Sequence, residues 1–489
     1  MRKRSKRRYT ISLMLAMSML TACAANPEQD IVISKNDGAF ESNMAQTAPQ
    51  QHSEEILLNR TDSFFSMDGS VEFTWNVDQT ISTGAMPVVK VEPYFFTGED
   101  AKQIITALFG SEVDFYDLGP ESERQFSKAE LQEKISMLTQ YSNAEDLRWL
   151  MGDEASVSEI KKRIDQYMQD YETAPNENPR PVCDWTLKPE SYYYDQDEEN
   201  GGTEYLIATS KVGDVNYEVT VQVHNKPDYQ KSRIQVTLGD GNDDTYVEST
   251  ISFAELCITE EPTQDQIDAI KENAQVMLDN MGMGEFIIAE TMIDVRYFGD
   301  TPAYRIRVEA EPVFEGASVL YGDLGKSNSN EDSYASDYPV TQIQFFFSVN
   351  GDLTSFNMHS LTEVKEIVNS NVATIPFDDL IEQAQTHLAL YDAAAMDESA
   401  GNARMLELTT GRSMETLDCK VEIVEVDYGL ARFPIANSSS FYYAPAVIFR
   451  GTIDYCEPET GEVVTGTGNP YGTRVQTLLV INAVDGTIY

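Results

Sequence analysis

Three stretches of this chain run through one order of events: a helix start, an amphipathic helix, and then apolar strands, several of which close in Asn-Gly or Asp-Gly. A chain patterned this way must bury one stripe of each helix against one face of a sheet. In the first stretch Thr97-Gly98-Glu99-Asp100 leads into Ala101, Ile104, Ile105 and Leu108, spaced i, i+3, i+4 and i+7, and Gly110 ends the run. In the second, Thr263 and Gln266 form a Thr-x-x-Gln capping box, and Ile267, Ile270, Ala274, Met277, Leu278 and Met281 share a face before Gly282. The third covers about 377–391, with Phe377, Leu380, Ile381, Ala384 and Leu388 inward. Strands are expected at 205–210, 216–224 and 234–238 behind the first helix. Behind the second they are expected at 286–298, 304–314, 341–349 and 353–358, and behind the third at 420–428, 443–455 and 475–484. Asn350-Gly351 between two apolar runs predicts a type I′ hairpin. Between about 127 and 172, Ser127-x-x-Glu130 and Ser156-x-x-Glu159 predict an insertion of two or three short amphipathic helices packed on their own sheet, the alternative being a partner-binding arm. The expected fold class is α+β, in tandem units of a helix followed by antiparallel strands: an N-terminal domain at 56–260, a middle unit at 261–360 and a C-terminal unit at 361–489.

Ahead of these units stand six basic side chains within residues 1–8 and an apolar run from Ile11 to Leu20. That run is about half the roughly 20 residues a membrane-spanning helix needs, so it predicts an export signal rather than a span. Leu20-Thr21-Ala22-Cys23 resembles the lipobox of bacterial lipoproteins. The resemblance implies removal of residues 1–22 and lipidation of Cys23, which would hold the protein at a lipid bilayer on the extracytoplasmic face of the cell membrane. Residues 23–55, polar and without sustained apolar period, are expected to be a flexible tether reaching roughly 30 Å.

The 489 residues carry 35 Lys plus Arg against 81 Asp plus Glu, a net charge of −46. Cleavage before Cys23 removes six of the basic residues and none of the acidic ones, taking the charge to about −52. No basic patch follows residue 8, so nucleic acid is excluded as a partner. Apart from Cys23 the cysteines are Cys183, Cys257, Cys419 and Cys456, with no C-x-x-C pair, and no zinc site is expected. If the strands near 419–428 and 443–456 are antiparallel neighbours, Cys419 and Cys456 come close, which makes them the candidate disulfide; the alternative is four buried thiols. His387 lies on the apolar face of the third helix and reads as a core histidine.

No catalytic motif is found, and the catalytic residues are unknown. Gly-x-Ser-x-Gly is absent. Ser158-x-x-Lys161 stands in a charged helical stretch without its Lys-Thr-Gly partner, and Gly325-Lys326-Ser327 has Leu320 where a phosphate loop requires glycine. For calcium, Asp195, Asp197 and Glu199 have the right spacing, but Asn200 and Leu206 occupy the positions of the turn glycine and the chelating glutamate. Asp240, Asn242 and Asp244 fail in the same way, so no metal or other cofactor is expected. Tyr192, Tyr193 and Tyr194 near Trp185 read equally as a sugar-stacking platform and as alternating strand aromatics.

The final quarter, from Tyr442-Tyr443-Ala444-Pro445-Ala446 through Val480-Ile481-Asn482-Ala483-Val484-Asp485-Gly486, resembles the end of PepSY-like and YycI-type extracytoplasmic domains, with Val447 at the usual tryptophan. The block Trp75 to Gly110 looks like an uncharacterised group of Gram-positive lipoproteins. These resemblances imply an α+β scaffold with a regulatory or inhibitory binding role at the cell surface, and supply no catalytic residues. The expected function is that of a membrane-anchored extracytoplasmic binding or regulatory module for a protein or peptide partner. The alternatives are an extracytoplasmic hydrolase of cell-wall or peptide substrates, and a ligand- or cation-binding lipoprotein.

Overall fold

The computed structural model describes residues 39–488 apart from 49–53, 85, 121–122, 143–153, 179, 195–201, 227–228, 240–245, 299, 321–340, 392–415, 436–437 and 467–474. The protein divides at Phe40/Glu41, and the sheets all belong to the unit Glu41–Tyr489. Cys23, both calcium-like loops (from 195 and from 240) and Gly325-Lys326-Ser327 lie outside the described residues.

In sequence order the strands of the first segment are β1 (Glu54–Arg60), β2 (Ser63–Phe65), β3 (Val71–Trp75), β4 (Val77–Thr83) and β5 (Val88–Pro93). Then come α1 (Gly98–Phe109), β6 (Tyr116–Asp117), α2 (Lys128–Ser142), α3 (Glu154–Thr173), β7 (Lys188–Pro189), α4 (Glu190–Tyr193), β8 (Thr203–Val212), β9 (Val215–Lys226) and β10 (Tyr229–Leu238). Helices α5 (Tyr246–Cys257) and α6 (Gln264–Met281) precede β11 (Glu285–Phe298), β12 (Thr301–Phe314), β13 (Ala317–Ser318), β14 (Gln342–Ser348) and β15 (Leu353–His359). The last elements are β16 (Thr362–Asn369), α7 (Phe377–Leu388), β17 (Asp418–Pro434), β18 (Phe441–Cys456), β19 (Val463–Gly466) and β20 (Gln476–Asn482). The class is mixed α+β with mostly antiparallel sheets.

Local chemistry accounts for the helix starts. Thr97 and Asp100 form a reciprocal capping box at α1, and Thr263 and Gln266 form another at α6, which ends at Gly282 in the left-handed conformation (φ 64°). Each cap satisfies backbone donors that the first turn leaves unpaired, a contribution of about 1 kcal/mol. Ser127 and Glu130 cap α2 in the same way. Helix α3 spans Glu154–Thr173, so Ser156 lies within the helix rather than ahead of it. Residues 190–194 also differ: Tyr192 and Tyr193 belong to the short helix α4, with Tyr193 buried and Tyr194 at its end, so these aromatics do not alternate along a strand.

The larger sheet has the order β11-β12-β14-β15-β10-β9-β8-β6. The strands behind α1 and those behind α6 therefore form one sheet, joined where β10 pairs antiparallel with β15. Ala101, Ile104, Ile105 and Leu108 of α1 and Ile270, Ala274, Leu278 and Met281 of α6 cover one face, against inward residues such as Val221, Ile234, Ile306, Phe345 and Phe356. Each large apolar side chain buried there contributes about 1.5–3 kcal/mol. Helices α2, α3 and α5 share a separate core with Phe298 and Ala303 at the β11–β12 turn.

The smaller sheet has the order β16-β5-β18-β17-β3-β2, with β19 and β20 also on β18. Phe377, Leu380, Ala384 and Leu388 of α7 pack on it with Trp75, Ile423, Val447 and Phe449. This sheet departs from the expected division into domains. Strand β3 runs parallel to β17, Val71 beside Cys419 and Trp75 beside Ile423, so part of the segment assigned to a domain at 56–260 lies in the sheet of the C-terminal unit. The expected boundary at 260/261 likewise has strands of one sheet on both sides. The two sheets meet where the β12–β13 excursion docks Val319 beside Leu430, in a cluster with Val91, Phe441 and Tyr443.

Two turn and pairing expectations also change. At Asn350-Gly351 only Gly351 has positive φ (89°), and Gly351 N donates to Ser348 O (2.9 Å), so the turn is not type I′, which needs positive φ at both central residues. Cys419 and Cys456 are not joined: both are buried thiols, Cys419 pairs across with Tyr455 and Cys456 with Asp418. A one-residue offset puts their side chains on opposite faces of the sheet.

Candidate functional site

The larger sheet is covered by α1 and α6 on one face; its other face is polar over the central strands. Period-two alternation places it there, because Ile234 and Val236 of β10 and Phe356 and Met358 of β15 point into the core. Lys231, Arg233, Gln235, Asn357, His359, Gln342, Gln344, Arg305, Arg307 and Glu309 are left on the opposite face, all half-buried. Register orders them in rows across the strands. Gln222, Arg233, His359 and Gln342 form one row, and Gln235, Asn357, Gln344 and Glu309 the next.

At one end of this face the charges are paired. Arg305 Nη2 donates to Asp294 Oδ2 (3.0 Å), Arg307 approaches both Asp294 (3.5 Å) and Glu309 (3.2 Å), and Gln344 donates to Glu309 (2.7 Å). Arg305 also lies 4.0 Å from the Phe346 ring centroid, a cation–π contact. Across from them on the smaller sheet, Arg450 pairs with Asp427 (2.7 Å). Burial, with Glu309 beside it, raises the Glu290 carboxyl, and burial with Asp427 raises Glu425. Arg450 and Asp427 act on Glu290, and Glu290 acts on Glu425, so charged side chains of the two sheets lie within electrostatic reach of one another.

Near the junction with β16 the picture changes. His359 Nε2 lies 2.5 Å from Gln342 Oε1 and its Nδ1 3.1 Å from Ser360 Oγ. With the amide oxygen as acceptor, the ring carries its proton on Nε2 and Nδ1 accepts from the hydroxyl. Burial, then Arg233 and Lys231, push the imidazole down to about 4, so it is neutral at physiological pH. Burial and Arg233 also lower the Lys231 ammonium.

The sheet edges are the second feature. Strand β11 is 14 residues long, pairs only with β12 among the described residues, and exposes Ile287 (42%) and Tyr297 (65%). Its inner face is held by Phe286 and Ile288 against the helix layer, and Gln275 of α6 donates to Phe286 O (3.0 Å). The edge of the smaller sheet, β16, is shorter, has two register shifts, and carries Glu363, Lys365 and Glu366, features that blunt an edge against further pairing.

Of the residues singled out in the sequence, Cys419 and Cys456 lie in the smaller sheet and contribute nothing to this face. His387 is half-buried on α7 with its ring edge-on to Tyr391 (5.2 Å). Ser158 and Lys161 sit in α3, whose packing is with α2 and α5. Burial raises Cys183 to about 11 and Cys257 to about 12, so neither is a thiolate at neutral pH. Lys188 stacks over Tyr192 (4.4 Å) and pairs with Asp117, which occupies the aromatic cluster with the protein's own cation. Among the described residues no group of three or more His, Cys, Asp or Glu could hold a metal, and no helix is long and apolar enough to cross a membrane. Sequence reading missed the Lys231–Arg233–Gln235 alternation, because the apolar run that marks β10 begins only at Ile234.

No family model matches this sequence, and no curated protein matches it. Among solved structures it is similar to a crystal structure of an uncharacterized protein from Eubacterium rectale ATCC 33656, at 9% sequence identity over 93% of this protein and 98% of that one, with a TM-score of 0.38.

Proposed function

We propose that this protein is an extracytoplasmic lipoprotein, anchored to the membrane through Cys23, that binds an extended segment of a protein partner at the cell surface by adding it to the edge of β11. The observation that carries this reading is the 14-residue strand whose outer edge is unpaired among the described residues, with Ile287 and Tyr297 exposed beside it. Such an edge offers a row of backbone donors and acceptors to an incoming strand, and alternate side chains give specificity. The basic start, the short apolar run and Leu20-Thr21-Ala22-Cys23 support the anchor. A PepSY- or YycI-like reading of the helix-then-strand units fits the same role. The acidic charge opposes contact of the globular part with anionic headgroups.

The test is chemical crosslinking in intact cells, comparing the unaltered protein with Cys23→Ala and identifying captured proteins by mass spectrometry. Capture of a membrane or cell-surface protein only by the anchored form is expected. High crosslinking yield without a captured partner contradicts the reading and favours the hydrolase or ligand-binding alternatives.

A further inference from the structure

Lys231 and Arg233 stand two residues apart on the polar face of β10, in a protein of net charge −46, and among the described residues neither forms an ion pair or a side-chain hydrogen bond. The Nε of Arg233 is buried without a hydrogen-bond partner. One row along the same face, the Oδ1 of Asn357 is buried without one as well. Opposite Arg233, both nitrogens of His359 are engaged by Gln342 and Ser360, so the imidazole is held in place and offers no negative group to the cations. Two adjacent cations without a counter-ion are costly to keep half-buried, and an orphaned acceptor beside them adds to that cost.

We propose that Lys231, Arg233 and Asn357 form a binding site for a peptide carboxylate, such as the C-terminus of a polypeptide. A carboxylate answers the two cations, and the Arg233 fork matches it with parallel N–H···O bonds. The peptide N–H beside that carboxylate supplies the donor that Asn357 Oδ1 lacks. An inorganic anion such as phosphate satisfies the cations but brings no N–H. The site lies on β15 and β10, three and four strands in from the β11 edge, and does not depend on that edge being used.

The probe is N-acetyl-trialanine with a free carboxylate, titrated calorimetrically into the full-length protein in detergent micelles at about 150 mM salt, where the remote negative charge is screened. Its C-terminal amide and inorganic phosphate are the comparison ligands. Saturable binding of the acid, about tenfold or more weaker for the amide and for Arg233→Gln, is expected. Lys102→Gln, on α1 at the opposite face, should leave binding unchanged. Asn357→Asp, which sets a like charge beside the ligand, should abolish binding and serves as an independent probe if Arg233→Gln does not fold. Equal binding of acid and amide, undiminished binding by both site variants, or Arg233-dependent binding of phosphate alone would each overturn the proposal.

Discussion

Strands β12 and β10 lie in the same sheet and both set basic side chains on its polar face, yet they treat the charge differently. On β12, Arg305 and Arg307 share Asp294 across the β11 pairing, and Glu309 lies two residues on. On β10, Arg233 has Gln222 and the neutral His359 opposite it and Lys231 has His224, and none of these is a carboxylate. The first arrangement completes itself within the fold, because neighbouring antiparallel strands bring opposite charges into register. The second leaves charge unanswered in a protein that has 81 acidic residues to draw on, which is the observation behind the carboxylate site proposed above.

The largest effect that distinguishes the two regions is carried by His359. Its imidazole, held down to about 4 beside Lys231 and Arg233, stays neutral in the folded protein while the unfolded one protonates near 6.5. Stability should therefore be unaffected above pH 6.5, fall by about 3 kcal/mol between pH 6.5 and 4, and level off below. Glu290, Glu425 and Asp427, raised by burial, act oppositely, since the folded protein takes up their protons first and gains stability as pH falls. Urea unfolding of the unaltered protein and His359→Gln across that range isolates the histidine; parallel profiles would break the distinction.

Next in size is the loss of Asp294. Asp294→Ala leaves Arg305 and Arg307 with one carboxylate between them and should cost about 2 kcal/mol, between the values for exposed and buried pairs. Arg233→Gln, which breaks no pair, should change stability by less than about 0.5 kcal/mol. Denaturant midpoints of the two variants compare the regions directly, and equal losses would mean that Arg233 is paired after all. The smallest effect is expected of Lys231→Gln. Removing that ammonium relieves repulsion of Arg233 and of protonated His359, so the ring should titrate at higher pH, seen by NMR of its carbon-bound protons. A downward or absent movement would remove Lys231 from the histidine's surroundings.

The same contrast explains what could be read in advance. Capping boxes and amphipathic spacing are local, so Thr97 with Asp100 and Thr263 with Gln266 sufficed to place α1 and α6, and the apolar runs behind the helices sufficed for β11, β12 and β18. Sheet membership is not local. Nothing in Val71–Trp75 shows that it will run parallel to a strand more than 300 residues further on, and nothing around 260 shows that β10 will pair with β15. The cysteine pairing failed by a single residue of register, which in a strand is enough to reverse the face. The polar face was legible in principle, as Lys231-x-Arg233-x-Gln235 continues the alternation of Ile234 and Val236. Its meaning depends on the absence of carboxylates from β9 and β15 at those rows, which only the register supplies.

The most direct measurement is photo-crosslinking in intact cells from a photoreactive residue placed at Tyr297, on the open edge of β11, against the same residue placed at Asp265 on α6. One protein should be captured from position 297 and not from 265, and only while Cys23 is present. Equal capture from both positions, or efficient capture by Cys23→Ala, would contradict the proposed function.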